Sequence, residues 1–179
     1  GKLGVHAEIV SLDDFYLGPD ETPVLPNGEK DYETVDALDI ALIQDCLNSV
    51  IHSGSCLLPE YDFTTKTRTL AARKLDVSDR GFVIMEGLHA LNPIFTRDLP
   101  EGSTIKLYVS VKQQIKDING EVISPMDIRL VRRISRDIRS RDTMPERTIA
   151  MWDNVVAGED KYIRPYRLSA DYTVNSIHI

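Results

Sequence analysis

Gly81-Phe82-Val83-Ile84-Met85-Glu86-Gly87 is apolar from its second residue until it meets a single carboxylate. A strand with one face in water alternates apolar and polar residues. A run that is apolar at every position suits a strand covered on both faces, as in a buried parallel sheet. Working outward, Ala7-Glu8-Ile9-Val10-Ser11-Leu12 reads as a second strand, and it too runs straight into acid, at Asp13-Asp14. Ile105-Lys106-Leu107-Tyr108-Val109-Ser110 and Tyr172-Thr173-Val174 supply two further short strands. Helical patterns lie between them. Leu38, Leu42, Ile43, Leu47, Val50 and Ile51 recur at helical spacing from Asp36 to about Ser53, with Gly54 as a stop. Ser124-Pro125-Met126-Asp127 opens another helix, with proline at the first helical position and Leu130, Ile134 and Ile138 on one face. A third starts near Pro145 and runs toward Gly158. Strands alternating with helices give an α/β fold on a mainly parallel, doubly wound sheet. Residues 57–75 read as extended or hairpin-like, and 112–122 as an exposed excursion around Asn119-Gly120.

Length and composition narrow the function classes. With 179 residues and 20.2 kDa the chain is one domain, large enough to bury a core without disulfide or metal. Hydrophobic content of 42% and charged content of 27% exclude a disordered or collagen-like chain. No apolar run approaches the ~18 residues of a membrane span, and the N-terminus shows no signal-peptide core. Cys46 and Cys56 have no C-x-x-C spacing and read as reduced thiols, which fits a cytoplasmic protein. His6, His52, His89 and His178 are scattered in no metal-ligand pattern. A net charge of −7 disfavours general nucleic-acid binding. The positive charge is unevenly placed, however. Six of 13 arginines (Arg129, Arg132, Arg133, Arg136, Arg139, Arg141) fall in one 13-residue window whose single acid is Asp137. Such a window on an acidic chain points to a local anionic ligand, with a solvated or internally paired helix face as the alternative.

Ligands of an open parallel sheet bind beyond the carboxyl ends of its strands. Two strands here end in acid, at Asp13-Asp14 and at Glu86. A carboxylate so placed can accept a proton from a hydroxyl or hold Mg²⁺, and Gly87 lets the backbone turn and approach a ligand closely. Guanidinium forks match phosphate oxygens. Tyr61-Asp62-Phe63 with Lys66 and Arg68 mixes aromatic faces with donors, as core packing or as a base-stacking pocket; Phe15-Tyr16 has the same two readings. The loop over 17–34 is long enough to be functional.

Ser11-Leu12-Asp13-Asp14-Phe15-Tyr16, Tyr32-Glu33 with Asp36-Ala37-Leu38-Asp39, and Pro59-Glu60-Tyr61-Asp62-Phe63 with Arg68 resemble the uridine kinase family of P-loop kinases. The resemblance continues through Glu86-Gly87-Leu88-His89-Ala90-Leu91-Asn92-Pro93 and Arg129-Leu130-Val131-Arg132-Arg133-Ile134-Ser135-Arg136-Asp137, in the family's order over almost the whole chain. It implies a single P-loop kinase-like domain over 1–179 with a helical lid around 124–147. It also implies transfer of the γ-phosphate of ATP, with Mg²⁺, to the 5′-hydroxyl of a nucleoside. Asp13 would be the general base and, with Glu86, lie at the metal. Tyr16 and Glu33 would contact the nucleoside, Tyr61, Phe63, Lys66 and Arg68 would line the base pocket, and Arg133, Arg136 and Arg141 would belong to the lid, the last two on the phosphates.

The chain departs from the family at two points. Lys66 stands where pyrimidine-selective members carry a base-reading histidine, and a lysine donates but cannot accept a hydrogen bond. No G-x-x-x-x-G-K-[ST] occurs in the sequence, so the first strand, phosphate cradle and first helix are expected to precede Gly1, and ATP binding by 1–179 alone to be incomplete. A phosphoribulokinase-like or pantothenate kinase-like small-molecule kinase, or a catalytically silent nucleotide-sensing module, are the other readings. No membrane or nucleic-acid partner is implied, and a homo-oligomer stays open.

Overall fold

The computed structural model describes residues 4–77, 81–111 and 115–176, so Gly1, Lys2, the start of the excursion at Lys112, and His178 lie outside the described residues. Strand β1 (Ala7–Ser11) pairs in parallel with β4 (Phe82–Glu86), Ala7 opposite Phe82 and Ser11 opposite Glu86. The two acid-ending strands are therefore neighbours, and their register sets both carboxyl ends at one level.

The crossover between them contains α1 (Ile40–Ser53) and a hairpin. The apolar period begins at Leu38, but the helix starts two residues later. Residues Val35–Ala37 form a 3-10 turn, and Asp39 caps α1 by accepting from the Leu42 amide at 3.0 Å. Gly54, at φ 70°, ends it in the left-handed conformation. The hairpin pairs β2 (Ser55–Asp62) with β3 (Thr67–Asp76) in antiparallel fashion, with a register shift between Leu58 and Glu60. Pro59 lies at the shift; it has no N–H to give the ladder. Val10, Leu12, Phe15, Ile43, Cys46, Leu58, Leu75 and Phe95 form the core where β1, α1 and the hairpin meet.

β5 (Leu107–Val111) pairs in parallel with β6 (Tyr172–Ser176). Among the described residues β4 pairs only with β1, and β5 only with β6. This changes the reading of the apolar run at 82–85. Val83 and Met85 pack against the core, but Phe82 and Ile84 remain 48% and 45% exposed, because no described element covers that face.

α2 (Pro125–Ser140) begins as expected, with the Ser124 hydroxyl accepting from the Met126 amide. Its far end differs from the expected apolar face: Ile138 is exposed and Asp137 is buried. The single helix expected from Pro145 is two, α3 (Pro145–Ala150) and α4 (Trp152–Gly158), broken at Met151 and followed by a π-helical turn over Glu159–Ile163. No helix among the described residues is long and apolar enough to cross a membrane.

Candidate active site

The site begins where β1 stops. The chain passes directly into a 3-10 turn, Leu12–Phe15, which buries Leu12 and Phe15 in the core and leaves Asp13 and Asp14 half-buried between them. Phe15 is thus a core residue. Gly87 sits at φ 151°, and a Cβ there would lie 2.8 Å from Leu12 Cβ. The close approach expected of Gly87 is therefore to the protein's own turn, and it seats the end of β4 against the end of β1. The Ser11 hydroxyl donates to Glu86 Oε1. Burial raises the Asp13 carboxyl above its ordinary value; Arg141 works against this, and the neighbouring Glu86 adds to it.

Aromatic rings form the adjoining wall. The Tyr16 ring lies 5.6 Å from Tyr61, 5.9 Å from Phe63 and 6.1 Å from Tyr32, all tilted or edge-on, and Tyr61 and Phe63 are 5.0 Å apart. Such offset geometry suits ring quadrupoles. Tyr16 Oη donates to the Tyr32 carbonyl at 3.2 Å, and burial pushes its phenol far above the ordinary range, so it stays neutral. Tyr61 Oη is buried with no hydrogen-bond partner among the described residues.

Arginines of α2 and its end reach this wall. Arg141 Nη2 lies 3.7 Å from Asp13 Oδ2, and its guanidinium stacks 4.3 Å from the Phe63 centroid. Arg133 Nη2 donates to Glu33 Oε1 at 2.9 Å. Glu33 is held from behind by Gly158, where a Cβ would come 2.8 Å from Glu33 Cβ. His89 is buried, edge-on to Tyr162, with no partner for Nδ1 among the described residues; burial lowers its pKa while Glu33 and Asp13 oppose that.

The structure therefore brings Asp13, Tyr16, Glu33, Tyr61, Phe63, Glu86, Arg133 and Arg141 into one neighbourhood. Three other candidates are placed differently. Lys66 is exposed in the hairpin turn at φ 56°. Arg68 is paired with Asp39 at 2.7 Å, tying the hairpin to the cap of α1. Arg136 is half exposed and, with Arg132, Ser135, Arg139 and Ser140, lines an open concavity of about 450 Å³. Tyr32, His89, Gly158 and Asp137 were not singled out as site residues from sequence. Tyr32 and His89 lay inside the motifs that carry the resemblance, and Asp137 stood out as the lone acid among six arginines; Gly158 carried no signal.

No group of three or more His, Cys, Asp or Glu among the described residues could hold a metal by itself. Asp13 and Glu86 offer two carboxylates close enough that one raises the pKa of the other. That donor set fits Mg²⁺, which binds through one or two carboxylates and takes its remaining ligands from phosphate and water.

The family model described as Phosphoribulokinase / Uridine kinase family matches residues 6–178. The uridine kinase of Lactobacillus helveticus is 28% identical over 167 residues, 93% of this chain and 71% of that protein. The uridine kinase of Saccharomyces cerevisiae is 27% identical over 191 residues, 99% of this chain but 35% of that longer protein. Among solved structures, a protein of Silicibacter sp. TM1040 named for a fructose transport system kinase superposes with TM-score 0.65 at 19% identity, covering 96% of this chain and 76% of its own. A Bacillus stearothermophilus protein described as a possible uridine kinase gives TM-score 0.52 at 15% identity, covering 97% and 74%. At such identities the structural likeness speaks for the fold alone, an α/β fold with parallel pairing.

Proposed function

The chain belongs to the phosphoribulokinase / uridine kinase family, and we propose that it is a nucleoside kinase, moving the γ-phosphate of ATP to the 5′-hydroxyl of a ribonucleoside. One observation carries the reading: the Tyr16, Tyr61 and Phe63 rings meet within 6 Å of one another, and Asp13 and Glu33 both act electrostatically on Tyr16. Aromatic faces suit a planar base, one carboxylate suits the ribose hydroxyls, and the other suits the reacting hydroxyl.

In this reading Tyr61 and Phe63 cover the base, and Glu33, shared with Arg133, accepts from the ribose hydroxyls. Asp13 orients the 5′-hydroxyl and accepts its proton. Its raised pKa brings its basicity nearer to working pH, which favours proton transfer. Asp13 and Glu86 would hold Mg²⁺, which supplies neutralising charge on the transferring phosphates. Residues 124–147 act as the lid, contributing Arg133, Arg136 and Arg141. Arg141 covers one face of Phe63, so a base stacking there displaces it toward the phosphates. Lys66 and Arg68 complete the base side only if the hairpin turn folds inward. The edges of β4 and β5 that have no partner among the described residues would take a further parallel strand, which carries the triphosphate cradle. Without it, residues 1–179 are incomplete for ATP. The reaction fits a cytoplasmic setting, where ATP and nucleosides meet.

The test is ADP release over a ribonucleoside panel with ATP and Mg²⁺, run on residues 1–179 and on a version extended N-terminally through a P-loop. Transfer is expected in the extended version, falling about a hundred- to ten-thousand-fold in Asp13→Asn. Full activity in that variant removes the general-base role. No transfer to any nucleoside removes the reading itself, and efficient transfer by 1–179 alone removes the incompleteness.

A further inference from the structure

The single acid of the arginine window is also among the most buried polar residues described: Asp137 is 4% exposed. Its Oδ2 accepts from Thr148 Oγ1 at 3.2 Å and lies 3.5 Å from Arg133 Nε. Its Oδ1 faces Arg136 Nε at 3.5 Å and Arg141 Nη1 at 3.8 Å, without a hydrogen bond among the described residues. The Asp137 carbonyl accepts from the Arg141 and Thr143 amides at 3.1 and 3.2 Å, closing the end of α2 on the same residue. A carboxylate this buried is tolerable only because guanidinium groups surround it.

Two of those guanidinium groups continue into the candidate site. Arg133 reaches Glu33 at 2.9 Å, and Arg141 reaches Asp13 at 3.7 Å while lying over Phe63. Thr148, itself 2% exposed, fixes the carboxylate from α3, so the two helices hold one charge between them. Resting on the nucleoside kinase reading, we propose that Asp137 is a positioning residue: it aims Arg133 at Glu33 and Arg141 at Asp13 and Phe63, and so sets how tightly the lid engages the nucleoside. A helix-end cap with no such role would need the hydrogen bonds but not the charge. Asparagine keeps the shape and an acceptor while removing the charge that holds the arginines.

The experiment compares wild type, Asp137→Asn, Thr148→Val and the exposed-site control Arg147→Gln, all as residues 1–179. It reads the arginine guanidinium N–H signals (Nε and Nη) by NMR and uridine affinity by calorimetry in the absence of ATP. In Asp137→Asn the Arg133 and Arg141 signals are expected to lose their protection from exchange. Uridine affinity should fall about tenfold, the loss of one charge-assisted contact, and should fall little further when Glu33→Gln is added. Thr148→Val should shift the same signals with native circular dichroism, which carries the test if Asp137→Asn does not fold. Arg147→Gln should match wild type. Unchanged Arg133 and Arg141 signals in Asp137→Asn overturn the proposal, as do additive losses with Glu33→Gln. If wild type binds no uridine, the nucleoside reading fails, and the arginine signals alone decide whether Asp137 aims these side chains.

Discussion

Asp13 illustrates how much one residue's surroundings decide. Its carboxyl sits beside Glu86 and partly out of water, with Arg141 as the compensating charge. The native state therefore binds a proton more readily than the unfolded chain does. Unfolding free energy falls as pH rises from the ordinary carboxylate value through the raised one, and above that the ionised group is a net cost. Asp13→Asn should thus be at least as stable as wild type at neutral pH, by thermal unfolding, though catalytically impaired. In the wild type, transfer should decline toward acid with a limb set above an ordinary aspartate. A limb at or below the ordinary value would contradict the account. Gly158 makes a second prediction at this scale. It lies within a helical stretch at φ −63°, where alanine is well tolerated, but its Cβ would press on Glu33. Gly158→Ala should keep the fold and weaken nucleoside binding about tenfold, the loss of one charge-assisted contact. Unchanged affinity by calorimetry would mean that Glu33 does not read the ribose. The acids and aromatics of the site were legible in sequence because strand ends and ring-rich motifs are local patterns. The Gly158 contact was not, since it joins residues 125 positions apart in the chain.

At the scale of elements, local chemistry predicted starts and stops well: Gly54 after α1, Ser124-Pro125 before α2. It missed where tertiary contact overrides the pattern. The helix expected from Asp36 begins at Ile40, because Asp39 caps it and Arg68 of the hairpin pins that cap. Arg68, read as a base-pocket residue, is thereby engaged in holding two elements together. Asp39→Ala removes the cap and leaves Arg68, 13% exposed at its side chain, without its partner. A loss of about 1–3 kcal/mol is expected in denaturant unfolding. No measurable loss would show that the junction contributes little. The two cysteines belong to this scale as well. Cys46 is buried in α1 with its thiol pushed up to about 12, and Cys56 faces it from β2 with its thiol also raised. Cys46 should react with thiol reagents only as fast as the core opens, and its rapid labelling in the native protein would refute that packing. On α2, the apolar stripe predicted Ile138 inward, but the structure buries Asp137 instead. Periodicity cannot foresee that outcome, because it depends on three guanidinium groups converging on one carboxylate.

For the whole molecule, the parallel α/β architecture was readable from continuous apolar runs alternating with helices. The burial of those runs was not. Phe82, Ile84, Leu107 and Val109 stay exposed along two strand pairs that do not hydrogen-bond to each other. A sheet of this kind leaves unpaired edges, which attract further strands. On the proposed reading, the nucleoside is held around the β1–β4 pair and the hairpin, away from those edges, so its binding should be separable from that of ATP. Calorimetric titration of residues 1–179, without ATP, with uridine and with its 2′,3′-dideoxy counterpart tests the nucleoside reading itself. Saturable binding of the ribonucleoside is expected, with the dideoxy form at least about tenfold weaker because Glu33 loses its hydroxyl donors. Equal affinities, or no binding of either, would contradict it.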